Sequence, residues 1–222
     1  MATLSELRSQ VSTIIQDSSF DNSTIDGYLN RGMLEIAGDI RRPASSILTM
    51  PLPELFEIGT VATDTTTFKV SLPVDYQRDV VMAVDEDGRE LSIYDSFMEF
   101  ARIYPGMTAT GTINAVAVKG RYLYYQGVPT ASEDITIHYH RYPVDMVADA
   151  DEPDGIPKNL HIPLLVNFAC KEIYSLIEDG MDGKMPNTAK YEAKFMAALE
   201  MLEASIPADA EPFSFTVGGC NR

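Results

Sequence analysis

Apolar residues return every three or four positions in four stretches of this chain, and at every second position in much of the sequence between the second and third of them. Leu4, Leu7, Val11 and Ile14 follow helical spacing at the N-terminus, and Ile25, Leu29, Met33, Ile36 and Ile40 do so again a short turn later. Across residues 160–180, Leu165, Phe168, Ala169, Ile173, Leu176 and Ile177 form a wide apolar stripe. A fourth stripe holds Tyr191, Phe195, Leu199 and Leu202. The 160–180 helix is too apolar to stand in water. Because about 100 residues of strand-like sequence precede it, the two N-terminal helices are its expected packing partners.

Helix boundaries are written in capping chemistry. Thr3 and Glu6 have the spacing of a capping box, in which each side chain accepts from the other residue's amide. Asn22 or Ser23 can cap the second helix, and Arg41-Arg42-Pro43 stops it. Gly27, Gly32 and Gly38 inside that helix each cost about 1 kcal/mol relative to alanine, so they mark either close helix approach or loose packing. Pro163 places the start of the main helix near Ile162, and Asp179-Gly180 ends it. Asn187 or Thr188 caps the fourth helix, which Pro207 ends.

Between these helices the period is two. Residues 56–63 and 66–72 read as a hairpin about a Thr-Asp-Thr turn, closed by Leu72-Pro73-Val74-Asp75-Tyr76. Residues 80–84 and 90–94 read as a second hairpin about Asp87-Gly88. A short helix over 95–103, with Asp95 or Ser96 as cap, precedes strands at 113–119, 122–126 and 135–142. The elements predict an α+β protein. Residues 1–42 and 156–206 form a four-helix bundle-like module, residues 43–155 an inserted antiparallel β-module of about six strands, and residues 207–222 an extended C-terminal arm.

Charge narrows the partners. With 33 acidic and 17 basic residues the net charge is −16, and no basic run tracks a phosphate backbone, which disfavours direct nucleic-acid binding and adhesion to an anionic membrane. Neither a signal-peptide pattern nor an uninterrupted apolar run of about 20 residues is present, so a soluble protein made in the cytosol is expected. Cys170 and Cys220 support neither a disulfide framework nor a zinc site, and Cys170 reads as a small core residue.

The sequence carries no phosphate-binding glycine loop, no zinc-protease helix and no nucleophile elbow. His138 and His140 point to one face of a strand, where they read as ordinary polar positions in preference to metal ligands, and His161 as a helix-start residue. The carboxylates at 85–87 and 149–154 lack the spacing of a calcium loop and read as solvated turns. Arg41 and Arg42 complement a helix C-terminus and can also take a partner's carboxylate. No enzyme, cofactor or metal is expected.

The order of several short motifs resembles a known family. Asp39-Ile40-Arg41-Arg42-Pro43 is followed by Leu72-Pro73-Val74-Asp75-Tyr76, an aromatic hairpin at Tyr122 to Tyr125, Tyr139-His140-Arg141-Tyr142-Pro143, and Ile156-Pro157 before the long apolar helix. This order is similar to that of tailed-phage head-to-tail adaptor proteins, also called connector or head completion proteins. The resemblance implies a helical bundle with an inserted β-module, a ring of about twelve copies beneath the portal, and C-terminal segments that grip the portal. It makes Phe213, Phe215 and Val217 the candidate portal contacts. It further implies a virion component at the head-tail interface, assembled in the host cytoplasm, that meets a tail or nozzle protein and lets DNA pass without specific binding. A negative lumen suits such passage, because like charge leaves the duplex mobile. Two other readings are a small acidic hydrolase or carbohydrate-binding protein, with its site around Tyr122, Tyr124, His138 and His140, and another tail-completion subunit.

Overall fold

The Thr3 capping box forms as its spacing predicts. Thr3 Oγ1 accepts the Glu6 amide at 3.4 Å and Glu6 Oε2 accepts the Thr3 amide at 3.2 Å, opening helix α1 (Leu4–Ile15). The computed structural model describes residues 2–38, 52–179 and 185–206. Among these residues the protein is α+β, with five α-helices and two sheets. They divide into two compact units, one built from the chain up to Leu55 and from Pro143 onward, the other from Phe56–Tyr142. Residues 143–155 thus belong with the helices.

In the first unit, helix α2 (Asn22–Gly38) is capped by Asp21, not by Asn22 or Ser23: the Asp21 carboxylate accepts the Thr24 amide at 2.8 Å. Asp21 is the side chain three residues ahead of that orphan donor, which is what cap geometry requires. The glycines of α2 also separate. A Cβ on Gly32 would lie 2.9 Å from Phe168 Cδ1, whereas Gly27 and Gly38 face open space. Close approach is therefore the role of Gly32 alone.

The main helical run is wound in three ways. A 3-10 turn (Lys158–Leu160) leads through His161 into a π-helical turn (Ile162–Val166), and α-helix α4 (Asn167–Ile177) follows. Helical backbone thus begins ahead of the expected Ile162, and Asn167 Nδ2 donates to the Pro163 carbonyl at 2.6 Å within the wide turn. Leu176, counted in the apolar stripe, is 56% exposed near the end of α4. Leu165, Phe168, Ala169, Cys170 and Ile173 are buried, and burial pushes the Cys170 thiol up to about 12. Although the 20 residues Lys158–Ile177 are apolar enough to cross a membrane by length and composition, their buried side chains share one core with α1, α2 and helix α5 (Pro186–Ser205).

Two polar devices close this unit. Arg8 donates to both Asp26 carboxylate oxygens at 2.8 Å and to Asp149 at 2.9 Å, tying α1 to α2 and to the acidic segment before the main helix. That segment is solvated, as its composition suggests, with the Asp149 side chain 74% exposed, and it is also tied into the backbone. The Asp149 and Asp151 carbonyls accept the Ser5 and Leu4 amides, Asp151 Oδ2 accepts the Val147 and Ala148 amides, and Asp154 Oδ2 accepts the Val144 amide. Its Asp151 and Asp154 carboxylates hold backbone donors within the segment, and its carbonyls hold those of the α1 N-terminus. Arg8→Ala is expected to cost about 1–2 kcal/mol, because Asp26 keeps its charge and loses a bidentate partner. Urea unfolding checks this, and a change below a few tenths of a kcal/mol would refute it.

In the second unit the chain forms seven strands, β1 (Phe56–Ala62), β2 (Lys69–Ser71), β3 (Tyr76–Val84), β4 (Ser92–Tyr94), β5 (Ala115–Lys119), β6 (Tyr122–Tyr125) and β7 (Asp134–Arg141), with helix α3 (Phe97–Ile103) between β4 and β5. The sheets have orders β1-β7-β3 and β2-β6-β5-β4. The first expected hairpin does not form, and the second forms only as a short antiparallel closure about Asp87-Gly88, where the Leu91 amide donates to the Ala83 carbonyl at 2.8 Å. β1 pairs with β7 and β2 with β6, so the Thr-Asp-Thr turn carries the chain from one sheet to the other. Thr63 is clamped to the segment before β7 by hydrogen bonds to Glu133 and Ser132 of 2.6–3.0 Å. Past the Val84–Glu90 bridge of that reversal, β4 pairs with β5 in parallel, so the unit is not wholly antiparallel. Turn chemistry says where a chain reverses; burial of a period-two face decides which strand it then joins.

The β5–β6 hairpin does form, with Lys119 opposite Tyr122 and Gly120 at φ +62°. In the 85–88 turn Asp85 is buried, not solvated: its Oδ1 accepts the Asp87 and Arg89 amides, and Oδ2 takes Arg89 Nε at 3.0 Å. Ser96, not Asp95, caps α3 through the Glu99 amide.

Candidate functional site

The strands of the second unit alternate about a common core. Ile135, Ile137 and Tyr139 of β7 and Leu123 and Tyr125 of β6 point inward to one cluster, so their alternate neighbours form two outward faces on opposite sides. His138 and His140 lie on one and Tyr122 and Tyr124 on the other. The four residues of the hydrolase or carbohydrate-site reading are therefore not brought together.

On the three-stranded sheet, cross-strand register builds two outward rows, Phe56–His140–Arg78 and Ile58–His138–Met82. The Phe56 ring meets both imidazoles edge-on, with centroids 5.6 and 5.8 Å away. Burial, with help from Arg78 and against Asp79, lowers the pKa of His140, and its buried Nδ1 has no hydrogen-bond partner among the described residues. Both effects favour the neutral ring near pH 7. No group of three His, Cys, Asp or Glu side chains among the described residues is placed to hold a metal ion.

The four-stranded sheet carries an aromatic and cationic face. α3 covers its β4–β5 side by packing Phe100 on Ala115 and Ala117. At the start of α3, Phe97 meets Tyr124 edge-on at 4.8 Å, and Tyr122 is 41% exposed. Lys69 Nζ stands 4.6 Å from the Tyr122 ring centre, and Lys119 Nζ 4.5 Å from that of Phe97. Lys69, Lys119 and Phe97 were not singled out by sequence reasoning. A lysine opposite a tyrosine in strand register, Lys69 at Tyr124 and Lys119 at Tyr122, is the signal that finds the two lysines.

Two of the quoted motifs interlock. The Tyr139 hydroxyl donates to Asp75 Oδ1 at 2.9 Å, the Tyr142 amide donates to the Asp75 carbonyl at 2.7 Å, and the Tyr76 and Tyr139 rings pack 5.8 Å apart. Burial first, then Asp75, raises the Tyr139 hydroxyl to about 12, so it stays a donor at every physiological pH. Leu72 is buried in the same core, and the Pro73 carbonyl accepts from the Tyr76 amide and from Arg121. This arrangement is a structural seam built from residues far apart in sequence. Pro143 is buried in the other unit, where Pro157 leads into the 3-10 turn by accepting the Leu160 amide at 2.8 Å. His161 joins the 3-10 turn to the π turn and is buried, its Nε2 2.9 Å from the Ile156 carbonyl. Arg41, Arg42 and Pro43, and Phe213, Phe215 and Val217, lie outside the described residues.

A family model described as SU10 adaptor protein matches residues 2–214. The chain belongs to that family. Membership makes it a phage structural adaptor and a virion component, in agreement with the motif order. The match includes both units and reaches Phe213, while Phe215 and Val217 lie past its end. A comparison with curated proteins gave no match.

Proposed function

We propose that this adaptor joins a phage portal to the tail as a ring of about a dozen copies through which DNA passes without specific binding, and that it is not an enzyme. The observation that carries the reading is the family match over residues 2–214. The net charge of −16 supports it, because an acidic lumen repels phosphate. In this reading the helices, contributed by residues 1–42 and 156–206, act as a bundle-like scaffold. The β-module, whose strands lie within Phe56–Tyr142, meets neighbours, and residues 207–222 form the arm that grips the portal through Phe213, Phe215 and Val217. An arm of this kind gains from repetition, since each copy's ordering cost is offset by linkage to the other contacts around the ring.

The test is to mix the purified protein with its portal and image the product. A ring with a central opening is expected, and the absence of both a ring and a sedimentation shift would overturn the assignment. Truncation after Ile206, which leaves every described helix intact, is expected to weaken portal binding about tenfold or more without changing the helical content. Unchanged binding would remove the arm from the proposal.

A further inference from the structure

Lys69 and Lys119 stand out in a chain with nearly twice as many acidic as basic residues. Both are exposed, and neither is ion-paired with a carboxylate among the described residues; their ammonium groups rest over Tyr122 and Phe97 instead. The lysines flank β6 from β2 and β5, roughly 10 Å apart across two strand spacings. An ammonium held against an aromatic face has already lost part of its freedom, which lowers the ordering cost of meeting an anionic partner.

The same unit carries the complementary charge at its other end. Arg121, in the β5–β6 turn beside this face, donates to the Val74 carbonyl just ahead of β3 at 2.7 Å. The acidic turn that follows β3 exposes Glu86 and Asp87, and β3, irregular between Tyr76 and Met82, runs from opposite Arg141 to opposite Thr136 of β7, roughly 17 Å, between the two places. Glu133 stands close to that turn, since Val84 lies opposite Thr136, and burial first, then Glu86 and Asp85 against Arg89, raises the pKa of its carboxyl. Carboxylates crowded in this way gain most from an incoming cation.

Building on the adaptor reading, we infer that successive copies meet head to tail through this unit, the acidic corner of one copy (Glu86, Asp87, Glu133) docking on the lysine-aromatic face (Lys69, Lys119, Tyr122, Tyr124) of the next. Two different surfaces at opposite ends of one body make a heterologous contact, the kind that propagates around a ring. Tyr122 and Tyr124 supply the apolar burial at its centre, and the charges set register and association rate.

The experiment uses two charge-reversed variants of the full chain. One is Lys69→Glu with Lys119→Glu, the other Glu86→Lys with Asp87→Lys and Glu133→Lys. Circular dichroism and thermal melting confirm that each variant is folded, and a Lys69→Arg, Lys119→Arg variant, which keeps the charge, controls for local packing. Assembly is read by sedimentation and electron microscopy, with and without portal. Each reversed variant alone is expected to assemble about tenfold less readily or worse, the arginine variant like the wild type, and an equimolar mixture of the two reversed variants to recover assembly. In the mixture every junction pairs opposite charges. Wild-type assembly by either reversed variant alone, or no recovery on mixing, would overturn this contact while leaving the adaptor reading in place. Wild-type protein that forms no assembly on the portal would remove both.

Discussion

Replacing Phe168 by alanine is expected to cost about 3–5 kcal/mol, the largest single effect among the substitutions considered. Phe168 is fully buried, meets Phe195 edge-on with centroids 5.4 Å apart, and carries the Lys171 ammonium 4.8 Å from its ring centre. Its removal leaves a cavity where α2, α4 and α5 share a core, and close packing limits how far that cavity collapses. Gly32 sharpens the test, since a Cβ there would lie 2.9 Å from the Phe168 ring. In the wild type Gly32→Ala is expected to destabilise by about 1 kcal/mol, as the displaced ring outweighs the gain in helix propensity. In the Phe168→Ala background the same change is expected to stabilise by about 1 kcal/mol, because the obstruction is gone. Urea unfolding followed by far-UV circular dichroism gives all four corners of this cycle. A Gly32→Ala effect of the same sign in both backgrounds would refute the contact.

Glu178 is the second position at which a large loss is expected. It follows the last residue of α4, where a carboxylate opposes the helix dipole, yet it is buried. Its oxygens accept from the backbone and side chains of Asn187 and Thr188, four hydrogen bonds of 2.8–3.0 Å. Asn187 and Thr188 were expected to cap α5 themselves. They lie instead inside its first turn, because Pro186 already occupies the opening helical position, and Glu178 caps the helix from the end of α4. Glu178→Gln replaces one acceptor oxygen by a donor that faces other donors, and is expected to lower Tm by about 5 °C or more.

The pH dependence of that loss has a definite sign. Burial pushes the Glu178 carboxyl up, but the hydrogen bonds from Thr188 and Asn187 outweigh it and hold the folded pKa below the usual 4.5. The stabilisation is therefore complete above the ordinary carboxylate range and is lost as pH falls through the folded value. Melting curves of wild type and Glu178→Gln should converge in acid and separate above about pH 5. A gap that stays constant down to acid pH would count against the carboxylate as the cap.

Features that depend on neighbouring residues were legible in the sequence. The Thr3–Glu6 box, the β5–β6 hairpin and the buried stripe from Leu165 to Ile173 each need only a few consecutive residues. The β1–β7 pairing was not legible: the Arg141–Glu57 ion pair joining its strands spans 84 positions, and the Thr-Asp-Thr signal between β1 and β2 pointed to a nearer partner. At the candidate site, period-two alternation identified Tyr122, Tyr124, His138 and His140 as outward residues. It could not say that the two pairs face opposite ways, since alternation fixes a side of each strand and not which sheet the strand joins. The isolation of Lys69 and Lys119 from carboxylates was hidden for a related reason. In a chain this acidic, only the folded arrangement tells which charges meet.

By itself the sequence determined the element types, the helical stripes that must be buried, the excess of negative charge and the order of motifs that marks the adaptor family. Local spacing and composition suffice for these, because capping, amphipathic period and net charge do not depend on distant partners. The tertiary structure alone decided that Gly32 admits Phe168 while Gly27 faces open space, that Glu178 caps a helix it does not belong to, and that the acidic segments hold backbone donors. It alone also decided which lysines stand on an aromatic face without a carboxylate. Each of these is a contact between residues far apart in the chain, chosen by the packing of whole elements, and no local pattern records which of several chemically equivalent partners burial will select.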